Sequence, residues 1–187
     1  GTDRQRVVDR LVELGLIPIP PPQARFDFVL SHGEQSPAAV SQELVRHAFS
    51  TTVGCVDLDV HRGDGPLDYP GWFRNFSQMS RGLFRPENVR FVDGVVFFEE
   101  SGRAYRCEPR ELGEWYDLAA VLKAVNRALE DRDLPERFVG LERGAQIACY
   151  VLAIPERMRQ VAGEFNFPPE PAPDAPRLRR HEAQRTT

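Results

Sequence analysis

The sequence predicts an α+β domain in which helices pack on a mainly antiparallel sheet. Apolar residues recur at three- and four-residue spacing in several segments, which is the pattern of amphipathic helices. Short alternating segments in the second half are joined by tight turns at Asp93-Gly94 and Ser101-Gly102, and such turns connect antiparallel strands. The predicted element order is αβαβ(α)βββαββα, with the strands forming a β-meander plus a hairpin. A doubly wound nucleotide-binding fold is excluded, because it needs alternating strands and helices with a glycine-rich first turn.

Length and composition suit one compact domain. The chain has 187 residues, of which 41% are hydrophobic and 28% are charged. We assign this domain to residues 1–167, and we expect the proline- and arginine-rich residues 168–187 to form a flexible tail. No run approaches the roughly 20 apolar residues that cross a bilayer, and the N-terminal segment lacks the residue order of a signal peptide. We therefore expect a cytoplasmic protein that does not engage membranes.

The basic residues are almost all arginine, since Lys123 is the only lysine among 24 basic side chains. The coding bias of a GC-rich genome accounts for this imbalance, and selection for planar, bidentate contacts to carboxylate or phosphate is the functional alternative. The net charge of −4 argues against a nucleic-acid partner, because an acidic surface repels phosphates.

The first part of the chain alternates helices and strands. Residues 4–16 have an apolar face at helical spacing, and the proline run after them ends this helix. Residues 25–31 alternate as a strand does. Ser36-Pro37 predicts the start of a second helix, because serine caps a helix and proline suits its first turn. Residues 55–61 alternate between polar and apolar side chains and predict a second strand.

A long connection follows and is expected to contain a helix at residues 70–83, because connections of this length are rarely structureless in compact domains. At helical spacing, this segment would have one aromatic and apolar face (Trp72, Phe76, Met79, Leu83) and a second stripe rich in arginine (Arg74, Gln78, Arg81, Arg85).

The second half of the chain predicts the meander, a helix, a hairpin and a closing helix. The expected strands lie at residues 89–92, 95–99, 103–107, 137–141 and 146–153, with a turn at Arg143-Gly144 inside the hairpin. Asp117 is expected to cap a helix that ends near residue 130, and Pro155 to open the last helix.

Asp57, Asp59 and His61 are the best candidates for a catalytic metal centre. Residues at this spacing on a strand project to one face, so two carboxylates and an imidazole can share a divalent ion. Such an ion would activate water for phosphoester hydrolysis. The alternative is that these side chains form the solvated polar face of a half-buried strand, which is the more common origin of this pattern.

Other catalytic signals are weak. Cys55, Cys107 and Cys149 fall in predicted strands without the paired spacing of a zinc site or a disulfide framework, and we expect buried thiols. The sequence lacks a nucleophile elbow, a phosphate-binding glycine loop and a zinc-protease motif, so no cofactor is expected.

The candidate partner-binding residues lie in the long connection and are Tyr69, Trp72, Phe73, Arg74 and Arg81. Tryptophan, tyrosine and arginine are enriched at binding hot spots. The alternative is an amphipathic helix whose aromatic residues face the core and whose arginines face solvent. Acidic residues within 99–114 and 130–136 are expected to steer a basic protein partner.

Residues 88–167 combine these motifs in an order that can be compared with known families. A strand meander is followed by Trp115-Tyr116-Asp117-Leu118 at the start of a helix, then by Glu136-Arg137-Phe138-Val139, a strand that includes Gln146, and a closing helix. This order resembles the immunity proteins encoded beside bacterial polymorphic toxins and the secretion-chaperone-like α+β modules. The resemblance implies a non-catalytic protein binder and assigns no functional residue.

We therefore expect a non-catalytic, intracellular protein-binding module, either an immunity protein or a chaperone-like partner of a bacterial toxin or effector. The alternative is a metal-dependent hydrolase or nuclease that uses Asp57, Asp59 and His61. A third hypothesis is that the sequence is part of a longer chain in which this domain serves as a scaffold. The sequence has no signature of an oligomeric state.

Overall fold

The computed structural model describes residues 3–21, 36–141 and 147–167. The helices and strands within them are, in chain order, α1 (Asp3–Glu13), α2 (Pro37–Thr52), β1 (Val56–Asp59), α3 (Tyr69–Gln78), β2 (Glu87–Val92), β3 (Val95–Glu100), β4 (Arg103–Cys107), α4 (Leu118–Glu130), β5 (Arg137–Leu141), β6 (Ile147–Ala153) and α5 (Pro155–Glu164). The predicted α+β class is confirmed. The predicted strand at 25–31, the turn at Arg143-Gly144 and the predicted tail at 168–187 lie outside the described residues.

The strands form two antiparallel sheets of three strands each. One sheet has the order β1-β6-β5, and the other is the meander β2-β3-β4. Strand β1 lies far from β6 in sequence but pairs with it, so that Asp57 faces Cys149 across the ladder. The meander forms as its turns predict, and β5 pairs with β6 in the other sheet.

Strand β6 is the centre of the structure. Its residues from Ala148 to Ala153 are all buried. Successive side chains point to opposite faces of the strand, so alternate residues enter two separate apolar cores. A strand buried on both faces has a continuous apolar run instead of an alternating one, which is what this segment shows.

Helices cover both faces of the β1-β6-β5 sheet. The first face packs against α1, α2 and α5, which enclose one core. The second face packs against α3 and α4, and these two helices also contact the meander. Helix α4 therefore lies between β5 of one sheet and β4 of the other.

Local signals fix the ends of the elements. The Ser36 hydroxyl accepts a hydrogen bond from the Ala39 N–H at 3.2 Å and caps α2, as its sequence predicts. Asp93 and Gly94 have φ angles of 51° and 78°, which a two-residue turn between twisted antiparallel strands requires. No helix among the described residues has the length and apolar character needed to cross a membrane.

Candidate partner-binding groove

An open groove of about 850 Å³ runs between the edge strand β4 and helix α4. Strand β4 contributes Tyr105, Arg106 and Cys107 to one wall, and α4 forms the other wall. Arg137, at the start of β5, also lines the groove. The groove thus lies where the two sheets come closest to α4.

Three alanines form part of the α4 wall of the groove. Ala119, Ala120 and Ala124 line the groove and add only methyl groups to its wall. The larger apolar residues of α4 point into the core (Leu118, Val121, Val125, Leu129). The large apolar residues therefore hold α4 against the core, and the alanines take up little space beside β4.

Strand β4 turns an unpaired backbone edge to this groove. It pairs with β3 on one side, and no strand among residues 3–21, 36–141 and 147–167 pairs with its other side. Alternate N–H and C=O groups on the outer side of such an edge can bond to another extended chain.

The groove is locally basic although the chain has a net charge of −4. Its lining includes five cationic side chains (Arg106, Arg110, Lys123, Arg127, Arg137) and three anionic ones (Glu108, Asp117, Glu130). Several of these pair with one another or with Asp131, as Arg127 does at 2.9 Å. Lys123 is exposed and forms no ion pair within the described part of the chain. An anionic group that enters the groove therefore meets an ammonium group that no carboxylate offsets.

Asp117 fixes the end of the groove where α4 begins. Its buried carboxylate accepts hydrogen bonds from the Ala120 N–H at 3.2 Å, and from the N–H and Nε of Arg110 at 2.9 Å each. Burial by itself raises the pKa of the Asp117 carboxyl, but the hydrogen bonds from Arg110 and Ala120 outweigh burial and lower this pKa below its ordinary value of 3.8. The carboxylate therefore stays charged and holds the first turn of α4, as the sequence predicts for a cap.

Three of the five predicted binding residues belong to the core. Tyr69, Trp72 and Phe73 are 2%, 7% and 0% exposed. The ring of Trp72 packs 4.5 Å from that of Tyr116, and the ring of Phe73 packs 4.9 Å from that of Phe98. Aromatic rings buried in this way hold α3 against the core and are not available to a partner in this conformation. For these three residues, the amphipathic-helix alternative describes the structure.

The predicted stripe of arginines does not form, because α3 ends at Gln78. Arg81 and Gly82 adopt positive φ angles of 52° and 78°, which leave the helical path. The buried Ser80 hydroxyl accepts a hydrogen bond from the Phe84 N–H at 3.1 Å and closes this turn. A local turn therefore overrides the helical periodicity that the sequence showed up to residue 85.

The two predicted binding arginines are separated and already engaged. Arg74 is on the exposed side of α3 and pairs with Asp68 at 3.4 Å. The Arg81 guanidinium donates to the Leu152 carbonyl oxygen at 3.2 Å. The structure does not bring these two side chains into one surface with the predicted aromatic residues.

Asp57, Asp59 and His61 do not form a metal site in the described residues. The Asp59 carboxylate accepts a hydrogen bond from the backbone N–H of His61 at 3.0 Å. The His61 imidazole lies 3.8 Å from the Glu114 carboxylate and packs edge-on against Trp115. Their ligand atoms do not gather within 4.8 Å of one another, which is the separation at which a shared ion would be expected.

Asp57 is instead grouped with two thiols. The sulfur atoms of Cys55 and Cys149 and a carboxylate oxygen of Asp57 lie within 4.8 Å of one another. A hydrogen bond between the two thiols lowers the pKa of Cys55 and raises the pKa of Cys149. The sequence did not suggest this cluster, because Cys149 comes from β6 and meets β1 only in the folded chain.

The groove residues were also missed at the sequence level. The patterns predicted β4 and α4 with correct ends, but no local signal shows that these two elements become neighbours. The row of alanines at residues 119, 120 and 124 was the available signal, since a helix side made of methyl groups leaves room for another chain.

Comparison with known proteins identifies no relatives: no family model matches the chain, and no curated protein or solved structure is significantly similar to it. The resemblance to immunity proteins and chaperone-like modules therefore stays a prediction.

Proposed function

We propose that this protein is a non-catalytic protein-binding module that holds an extended, acidic segment of a partner protein in the groove between β4 and α4. The observation that supports this proposal most directly is the unpaired outer edge of β4 beside an open groove of about 850 Å³. Peptides bind such edges by adding a strand, and backbone hydrogen bonds then provide much of the affinity.

The charges around the groove favour an acidic segment. Arg106 and Arg127 stand on opposite walls, with side chains 62% and 64% exposed, and Lys123 lies between two of the alanines in sequence. Glutamate or aspartate at alternate positions of an added strand would meet these cations on one side. Complementary charge raises the association rate and excludes basic competitors.

The partner segment proposed here is acidic, whereas the sequence predicted a basic partner. Two of the acidic residues expected to steer a basic partner are engaged internally. Glu100 is buried against Arg132 at 2.9 Å, and Asp131 accepts a hydrogen bond from the Tyr105 hydroxyl at 2.9 Å. These carboxylates are therefore poor candidates for contacting a partner.

A protein segment suits the groove better than nucleic acid does. Proteins that bind single strands stack bases on exposed aromatic rings. Among the described residues, the large hydrophobic side chains that are exposed are Ile19 and Val92, neither of which is aromatic. The proposed setting is the cytoplasm of a bacterium, with an immunity or chaperone-like role toward a toxin or effector.

Strand addition can be tested with two peptides about eight residues long, a usual strand length. One alternates threonine with glutamate and the other threonine with lysine. In amide NMR spectra of the labelled protein, we expect the acidic peptide to shift signals of Arg103–Cys107 and to slow the exchange of outer β4 amides. The lysine peptide should not do so. Shifts confined to regions away from β4 and α4, or equal binding of both peptides, would refute the proposal.

A charge-reversal variant tests the groove itself. The double substitution Lys123→Glu with Arg127→Glu should weaken binding of the acidic peptide at least about tenfold, since each buried or rim charge pair contributes on the order of 1 kcal/mol. Arg159→Glu on α5 is the control, because it reverses an exposed arginine that does not line the groove. If both variants lose the same affinity, the groove is not where the peptide binds.

The proposed immunity or chaperone-like role requires a stable complex with one particular partner protein. Co-expression with the products of neighbouring genes should give a stable complex with one of them. The Lys123→Glu and Arg127→Glu variant should fail to form that complex while the Arg159→Glu variant forms it. A complex that tolerates both variants would require a different surface.

A further inference from the structure

Two thiols and a carboxylate meet at the start of β1, on the side of the sheet covered by α2. Cys55 precedes β1, Asp57 lies within it, and Cys149 lies directly opposite Asp57 in β6. The distance from the Cys55 sulfur to Oδ2 of Asp57 is 3.8 Å, and all three potential ligand atoms lie within 4.8 Å of one another. The start of β1 and the facing residue of β6 thus bring these three side chains together.

These separations agree with the edges of a tetrahedral metal site. A zinc ion binds thiolate sulfur at about 2.3 Å and carboxylate oxygen at about 2.1 Å, so a tetrahedron places sulfur and oxygen about 3.6 Å apart and two sulfurs about 3.8 Å apart. The 3.8 Å between the Cys55 sulfur and the Asp57 oxygen is within about 0.2 Å of this tetrahedral edge. The three ligand atoms lie within 4.8 Å of one another, so small side-chain movements would bring them to the distances of a tetrahedral site.

The three potential ligands differ in burial, and this arrangement suits a bound ion. Cys149 is fully buried in the core under α2, Cys55 is half-buried, and Asp57 is exposed. The sulfurs therefore lie toward the apolar interior, while an ion can enter from the Asp57 side. Three protein ligands leave a fourth position for water or for a group from a partner.

The charge next to the cluster also fits. Arg46 of α2 interacts electrostatically with both Asp57 and Cys149. Two thiolates and one carboxylate around a divalent ion have a net charge of −1, and this charge lies near the Arg46 guanidinium, which also pairs with Glu43. The Arg46 Nε donates hydrogen bonds of 2.9 Å to both carboxylate oxygens of Glu43. These bonds hold the guanidinium in place beside the cluster.

We propose that Cys55, Asp57 and Cys149 form a binding site for a thiophilic divalent ion, with Zn²⁺ as the best match. Thiolate donors select zinc over magnesium or calcium, and the carboxylate completes a borderline-soft ligand set. The site differs from the hydrolase centre predicted from sequence: it shares Asp57 and uses sulfur where that hypothesis used Asp59 and His61. It is also separate from the groove, so one proposal can fail while the other holds.

The test uses the full chain, reduced and stripped of metal with a chelator. Titration with Co²⁺ should give a thiolate-to-cobalt charge-transfer absorption and the strong visible bands of tetrahedral cobalt, saturating at one ion per chain. Zn²⁺ should abolish these bands by displacing Co²⁺. Cys55→Ser and Asp57→Asn should each weaken Zn²⁺ binding at least about tenfold, since even residues that only support ligands cost this much.

Two matched controls separate ligands from neighbours. Asp59→Asn removes an exposed carboxylate two positions along the same strand, and Cys107→Ser removes a buried thiol in the other core. Both should bind Zn²⁺ as the unmodified chain does. Because Cys149→Ser could disturb the core, the half-buried Cys55 and exposed Asp57 provide the decisive variants. The proposal is overturned if Co²⁺ gives no charge-transfer absorption, or if Cys55→Ser leaves both the intensity of that absorption and the Zn²⁺ affinity unchanged.

Discussion

Asn126 of α4 binds both backbone groups of Phe138 at the edge of β5. Its Nδ2 donates to the Phe138 carbonyl oxygen at 3.2 Å, and its Oδ1 accepts from the Phe138 N–H at 2.8 Å. One amide side chain therefore occupies the edge of β5 as a neighbouring strand would. The edge of β4, which also contacts α4, has no such partner among the described residues, and this difference leaves β4 as the open edge beside α4.

Replacing Asn126 by alanine should lower the free energy of unfolding by about 1–3 kcal/mol, because Phe138 loses both partners in a partly buried position. Urea denaturation followed by circular dichroism measures the change. Asn75→Ala on the exposed side of α3 is the control, since it gains the same helix propensity and should stay within about 0.5 kcal/mol of the unmodified chain. Equal losses in both variants would contradict a structural role for the Asn126 amide.

Asp117→Asn should destabilise the protein at neutral pH by about 1–3 kcal/mol, because Arg110 loses its charged acceptor. The pKa of Asp117 is lower in the folded state than the 3.8 of the unfolded chain. The carboxylate therefore stabilises the fold fully above pH 3.8, and this contribution is lost as the pH falls through the lower folded value.

Unfolding measured at pH 7, 5 and 3 checks this behaviour. The difference in stability between the unmodified chain and Asp117→Asn should be constant between pH 7 and 5 and should shrink at pH 3. A difference that is the same at all three pH values would show that the charge of Asp117 does not contribute.

Phe73 and Arg74 are adjacent in sequence and should respond oppositely to truncation. Phe73 is fully buried, so Phe73→Ala should cost about 3–5 kcal/mol through lost burial and the cavity that it leaves. Arg74→Ala removes an exposed ion pair with Asp68 and should cost less than about 1 kcal/mol. Thermal or urea unfolding of the two variants measures the contrast. A small effect of Phe73→Ala on stability would contradict the burial of Phe73 and return it to the candidate binding residues.

Tyr69→Phe should lower the stability of the protein near pH 8, and this loss should become smaller at alkaline pH. The Tyr69 hydroxyl accepts a hydrogen bond from the Asp117 N–H at 3.0 Å, and its loss should cost about 1–3 kcal/mol at pH 8. Burial raises the pKa of Tyr69 from 10 to about 12. Because the unfolded chain ionises first, the unmodified protein loses stability relative to Tyr69→Phe as the pH rises above 10, by about 1.4 kcal/mol per pH unit at most.

Denaturation at pH 8, 10 and 11 measures this difference between the two proteins. Other tyrosines titrate equally in both, so they cancel in the comparison. If the difference did not shrink above pH 10, the Tyr69 hydroxyl would not be held neutral by the fold.

Local structure in this protein follows closely from sequence. Capping by Ser36 and Asp117, the turn at Asp93-Gly94 and the periodicity of α4 each depend on residues a few positions apart. Where a prediction failed locally, another short-range interaction decided the outcome: the Ser80 hydroxyl and the positive φ of Arg81 end α3 before the periodicity does. Short-range signals therefore predict the helices, strands and turns except where two of these signals compete.

The sequence by itself determined the class of the fold and the ends of most elements, because these depend on backbone turns, caps and the spacing of apolar side chains. Only the tertiary structure decided which strands pair, and thus that Cys149 faces Asp57 and that α4 separates a covered edge at β5 from an open edge at β4. Pairing between distant strands is set by how two apolar cores close around one central strand. That choice depends on the whole chain at once and leaves no mark on the spacing of neighbouring residues.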